Sequence, residues 1–262
     1  MRHTTFSTVL IAGIAAYAMA GTCRAAVSSV TLDWSQLKTQ VSGVSGGPAP
    51  TLTLNGFSTH TSANASSAGD GSESLEHSVG NWTDLRDLTA HTSNAEGKAT
   101  ASFATVSLSD SATPGAIGCC GSSSNSLVNR QASFTLSGPG TLLFSVPYSL
   151  SVSGTPFDFS DSSDIRIEGS ANFQGFDSTG TSFADGSKSI FADSNNPRSA
   201  SGLLLFGILA GQAGSGSVSF DVFASANTFS GGFVPEPSAM FGLLAGLAAL
   251  VVIGKRRIEH RA

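Results

Sequence analysis

Charge is scarce in this chain of 262 residues. Asp, Glu, Lys and Arg together make up 12% of it, against about 25% in ordinary globular proteins. Bases are the scarcest where they would matter most. Between Ala26 and Phe233 there are 7 Lys and Arg against 16 Asp and Glu, a net charge of −9. Six further bases lie at the chain ends (Arg2, Arg24, Lys255, Arg256, Arg257, Arg261). With no basic cluster in its middle, the chain lacks the means to neutralise phosphates, which excludes nucleic-acid binding and disfavours anionic lipid. Only 2 Trp and 2 Tyr accompany 17 Phe. Trp34, Trp82 and Tyr148 offer sugar-stacking platforms, but with so few such rings burial in a core is the better expectation.

Catalytic patterns are missing as well. The middle of the chain holds three His (His60, His77, His91), none in a His-x-x-x-His or His-Glu-x-x-His context, and Ser is abundant without a Gly-x-Ser-x-Gly elbow. These absences predict a protein that is not an enzyme. The chain has three Cys. Cys119 and Cys120 are adjacent and lack the spacing of a zinc site. In an oxidising compartment a loop disulfide is expected: a strained vicinal bond, or a pairing with Cys23 where that residue is retained. The densest acidic stretch is Asp158-Phe159-Ser160-Asp161-Ser162-Ser163-Asp164, with Glu168 four residues on. Asp158, Asp161 and Asp164 give an oxygen-rich set suited to Ca²⁺, although the EF-hand order is lacking and a solvated turn is the plainer reading. No other cofactor is expected.

What is present is alternation. In Thr141–Ser153, Leu142, Phe144, Val146, Tyr148, Leu150 and Val152 occupy every second position, the pattern of a half-buried antiparallel strand. Pro147 cannot donate to a ladder, which places an edge or a bulge there. Gly216–Thr228 repeats the pattern, and Ala132-Phe134-Leu136 before Gly138-Pro139-Gly140 predicts a hairpin with the first strand. Leu203–Leu209 is continuously apolar and reads as a central strand. Val30-Leu32-Trp34 and Leu52-Leu54 read as a first pair. Residues 59–97 are polar and irregular and read as a long loop or insertion, with thin helical signal in Glu73–Leu88 broken by Gly80 and Asn81. About nine short strands predict an all-β fold, an antiparallel β-sandwich for which a jelly-roll-like form is one option, over residues 26–233.

The ends carry addresses. Residues 1–25 form a secretory signal peptide, with Arg2 and His3 before an apolar stretch from Val9 to Ala20. Ala18-Met19-Ala20 and Cys23-Arg24-Ala25 both fit cleavage, and Ala20 and Thr22 fit a lipoprotein signal poorly. At the other end, Ser238–Gly254 is an uncharged run of 17 residues, about 25 Å of helix at roughly 1.5 Å per residue. That length reaches the lower edge of a bilayer span. Lys255, Arg256 and Arg257 follow it as a stop-transfer cluster, cytoplasmic by the positive-inside rule. A single C-terminal transmembrane helix is therefore expected, with the middle of the chain outside the inner membrane.

Val234-Pro235-Glu236-Pro237-Ser238, the short apolar helix and the basic tail of residues 255–262 together resemble the PEP-CTERM sorting domain of Gram-negative bacteria. The resemblance covers residues 234–262 alone. It implies that Pro235, Glu236 and Pro237 are recognised by an exosortase, a membrane-embedded cysteine protease. It further implies that helix and tail are removed after export through the Sec pathway and an inner-membrane intermediate. The remainder then reaches the cell surface or the exterior among extracellular polysaccharide, with a non-enzymatic structural or biofilm role. Physically, two prolines around one residue hold an extended segment that a protease groove can bind at little ordering cost. The alternative expectation for the middle domain is a carbohydrate-binding module, with or without Ca²⁺.

Overall fold

The structure, a computed structural model, describes residues 25–44, 47–113, 121–153, 161–177, 180–194 and 198–228. Thirteen strands lie among the described residues. They are β1 (Ala26–Asp33), β2 (Lys38–Gly43), β3 (Leu52–Ser67), β4 (Gly71–Val79), β5 (Arg86–Thr92), β6 (Ala95–Ala101) and β7 (Thr105–Ala112). β8 (Ser122–Leu136), β9 (Gly140–Ser153), β10 (Asp161–Asp177), β11 (Gly180–Asp193), β12 (Arg198–Ala210) and β13 (Gly214–Thr228) complete the set. All pair antiparallel, in two sheets. Sheet A runs β12-β9-β1-β7-β6-β5 with β2 also on β9, and sheet B runs β11-β10-β13-β8-β3-β4.

Alternation makes each sheet two-faced, and burying both apolar faces against each other gives the sandwich. Rings from opposite sheets meet across the interior: Phe144 on β9 lies 6.1 Å from Phe220 on β13, and Phe206 on β12 lies 5.2 Å from Phe220. The core is graded along the strands. One part is aromatic, built from Trp34, Trp82, Phe134, Phe144, Phe173, Phe206 and Phe220. The other is made of small residues such as Ser28, Ala63, Ala65, Ala95, Ala112, Ser124, Ser126, Ala224 and Ala226.

Several sequence expectations change in the structure. The segment 59–97 is ordered strand, comprising most of β3, then β4, β5 and the start of β6. Most of its buried strand residues are small, among them Thr59, Thr61, Ala63, Ala65, Ala90, Thr92 and Ala95, so much of its alternation lies between small residues and polar ones. β8 and β9 do not form a hairpin. They belong to different sheets, and the loop between them is tied to the chain before β3, where Ser137 N–H donates to Thr51 O at 3.1 Å and Thr51 N–H donates to Ser137 Oγ at 2.8 Å. Gly140 lies where a Cβ would be 2.5 Å from Ser42 O, which ties the turn to sheet A. β1 and β3 likewise sit in different sheets, and β1 pairs with β7 and β9.

β12 is an edge strand of sheet A, pairing with β9. Leu204, Phe206 and Ile208 face the core while Leu203, Leu205 and Leu209 are exposed, so an apolar run that looks doubly buried has one wet face. Its other flank is approached by β11, where a Cβ on Gly186 would fall 1.9 Å from Gly207 O. Only glycine lets the two edge strands come that close. Pro147 falls between the residues of β9 that pair with β2 (up to Ser145) and those that pair with β1 (from Tyr148). The residue without an N–H thus sits opposite the break filled by the short 3₁₀ turn Trp34–Gln36.

Candidate functional site

The residues singled out from sequence separate into two groups. Pro235, Glu236, Pro237, Lys255, Arg256, Arg257, the run 238–254, Cys119, Cys120 and Asp158 lie outside the described residues. Among the described residues no helix is long and apolar enough to cross a membrane. Asp161 opens β10, and Asp164 accepts a hydrogen bond from Ser225 Oγ. Among the described residues no group of three or more His, Cys, Asp or Glu gathers to hold a metal. The histidines are dispersed. His60 Nδ1 lies 2.9 Å from Ser78 Oγ, His91 is held through its backbone N–H by Glu73 Oε2 at 2.7 Å, and His77 Nε2 is buried without a partner. Trp34 and Trp82 are core residues, 5.2 Å apart and edge-on. Tyr148 packs half-buried against the core, which leaves none of the three as an open platform.

Two buried ionisable side chains, Asp110 and Arg130, carry no mark in the sequence. Asp110 on β7 is fully buried, and burial pushes its carboxyl up to about 8 against the weaker opposing hydrogen bonds of Ser126 and Ser124, with Asp164 adding repulsion. Ser126 Oγ donates to Asp110 Oδ1 at 3.0 Å, while Oδ2 has no partner. At neutral pH this is a neutral acid sealed in the small-residue part of the core. Arg130 on β8 is 1% exposed. Its guanidinium lies 4.6 Å over the Trp34 ring and donates from Nη2 to Ser102 O at 2.7 Å, with Nε and Nη1 unpartnered. Burial pulls it down to about 10. Neither group is open to a substrate, so both shape the core and not a reaction.

The open surface with recognisable chemistry is the outer face of sheet B. Register sets its polar side chains in ranks. Asn55, Ser133, Ser217 and Asn172 stand abreast on β3, β8, β13 and β10; Ser58, Gln131, Ser219 and Ser170 form the next rank, and His60, Asn129, Asp221 and Glu168 the third. Neighbouring side chains in a rank are one strand spacing apart, about 4.8 Å. The third rank is braced within itself and to the second: Asn129 Nδ2 donates to Asp221 Oδ1 at 2.5 Å and to Ser219 Oγ at 3.1 Å, and Ser219 Oγ donates to Asp221 Oδ2 at 2.8 Å. In the first, Ser217 Oγ donates to Asn172 Oδ1 at 3.1 Å. Two shallow depressions indent this face. One of about 480 Å³ is lined by Asn55, Ser133, Asn172, Gln174, Ser217 and Phe183. The other, of about 500 Å³, is lined by Ser58, His60, Ser78, Asn129 and Gln131. The signal for this face was present in the sequence as Asn and Gln at alternate strand positions, but it is readable only once strands are assigned to sheets.

Compared with family models, curated proteins and solved structures, the chain matches none of them.

Proposed function

We propose that the chain is an exported, non-enzymatic surface protein whose β-sandwich is released or displayed after an exosortase cuts at a PEP-CTERM-like signal. The observation that carries this reading is the order Val234-Pro235-Glu236-Pro237-Ser238, then the uncharged run to Gly254, then Lys255-Arg256-Arg257. The run serves as a transient inner-membrane helix, and the signal peptide of residues 1–25 delivers the chain to it. The position of the last strand supports the same reading. β13 ends at Thr228, ahead of Val234, so a cut at the motif takes none of the described strands. The acidic balance of residues 26–233 and the scarcity of charge suit a product that stays wet through hydroxyl and amide groups. The winding is proposed to be jelly-roll-like, because the chain passes repeatedly between sheets, as in β7 to β8 to β9 to β10.

The test is cell fractionation with intact mass in the native host. Replacing Pro235, Glu236 and Pro237 by Ala, or deleting Val234–Ala262, should leave an uncut membrane-bound form or a mislocalised one. Unchanged mass and location in both variants would overturn the proposal.

A further inference from the structure

The carboxamides of the described strands are distributed unevenly between the two sheets. Sheet A carries a single one, Gln40 on the short strand β2. Sheet B carries eight: Asn55, Asn64, Asn125, Asn129, Gln131, Asn172, Gln174 and Asn227. All eight fall on the positions that alternate with the core-facing residues, and so on the outer face. Asn is a poor strand former. The middle strands of sheet A meet water with Ser and Thr, for example Ser29 and Thr31 on β1, Ser107 and Ser109 on β7, and Ser149 and Ser151 on β9. Wetting a strand face in this protein therefore needs no carboxamide, and the bank on sheet B calls for another reason.

A carboxamide presents a donor and an acceptor side by side in one plane, a match for two neighbouring hydroxyls of a sugar ring. Among the described residues Asn55, Gln131 and Gln174 have no side-chain hydrogen-bond partner, which leaves that capacity for a ligand, while Asn129 and Asn172 are pre-oriented by the bonds given above. At the β11 end stands Phe183, 75% exposed, in register with Gln174. Its ring offers a flat apolar surface for the C–H face of a sugar. The two depressions follow one another across the sheet, from Phe183 through the rank of Asn55 to that of Asn129 and on to Ser78. Between them β3 is bulged, with the register slipping between Asn55 and Ser58 and Gly56 at φ +58°. A bulge bends its strand and here marks where the two depressions meet. Charge narrows the choice. Asp164, Glu168, Asp185 and Asp221 lie on this face, with Arg166 ion-paired to Glu168, so an anionic polymer is repelled.

We propose that the outer face of sheet B, where Phe183 stands beside the carboxamide ranks of β10, β13, β8 and β3, binds a neutral polysaccharide chain. The site is independent of how the chain ends are processed, so failure of one reading leaves the other standing.

The test is affinity electrophoresis of the protein as recovered from its host, in gels cast with a soluble glucan, mannan or galactan, or with alginate as the acidic polymer. At least one neutral polymer should retard the protein, and alginate should retard it less. Asn172→Ala combined with Gln174→Ala, and separately Phe183→Ala, should weaken that retardation about tenfold, the scale of one or two lost contacts. Ser107→Ala on sheet A should not. Gln131→Ala gives a third reading at a position that supports no core contact. No retardation by any neutral polymer, stronger retardation by alginate, undiminished retardation in both sheet B variants, or equal loss in Ser107→Ala would each overturn the proposal.

Discussion

Asp110 gives this sandwich an unusual pH dependence. Its carboxyl titrates near 8 in the fold and near 3.8 in the unfolded chain. Between those values the native state holds a proton that the unfolded state has released. Stability therefore falls as pH rises through this window, the reverse of the usual surface carboxylate. The slope is about −1.4 kcal/mol per pH unit, and the full effect approaches 5–6 kcal/mol by pH 8, comparable with the whole stability of many domains. Asp110 is fully buried, so solvent screening does little to reduce it. Asp110→Asn keeps the shape and the acceptor for Ser126 Oγ but cannot titrate. Urea unfolding of both proteins at pH 5, 6, 7 and 8 should give curves that diverge steadily, the wild type losing ground to the variant with each step. Parallel pH profiles would refute the assignment of a sealed, protonated Asp110, whatever constant offset the amide introduces.

Other perturbations test the packing. Arg130→Ala empties the space beneath Trp34 and removes the bond to Ser102 O. It should cost about 3 kcal/mol or more by thermal or urea unfolding, with Arg130→Met costing clearly less because it refills the volume without a buried charge. Gly186→Ala forces a methyl into Gly207 O and should destabilise by about 1–3 kcal/mol, with faster amide exchange in β11 and β12 than in β1 or β7. Leu205→Lys on the exposed face of β12 should leave stability within about 0.5 kcal/mol. It should also reduce any concentration-dependent association seen by light scattering, because charge on an edge strand discourages pairing with another chain.

Large alternating side chains made the all-β class readable. β9 and β13 coincide closely with the stretches read from Leu142–Val152 and Val218–Ala226, because Phe, Leu and Val there mark the core face unmistakably. β4 to β6, and β3 beyond Leu54, were unreadable for the opposite reason: Ala, Thr and Gly face much of the core there, and their alternation with Ser, Glu and Lys has little hydropathy contrast. Partnering was also hidden. Alternation shows which face of β8 is buried, yet it is silent on whether β9 lies beside it or across the core, and the bonds between Ser137 and Thr51 decide that. Leu203–Leu209 misled because apolar residues on both faces ordinarily mean burial on both, whereas β12 closes an edge. The buried ionisable residues Asp110 and Arg130 carry no local mark, since a lone Asp or Arg in a strand is normally a surface residue. The carboxamide bank became visible only when eight scattered residues were found on one face of one sheet.

Export of the sandwich and its release from the C-terminal signal are both read in one measurement, the intact mass of the protein recovered from the surface or medium of its native host. The expected chain begins after Ala20 or Ala25 and ends near Val234-Pro235-Glu236-Pro237, with the apolar run and Lys255-Arg256-Arg257 gone. A secreted or surface form whose mass still includes everything to Ala262 would contradict that release.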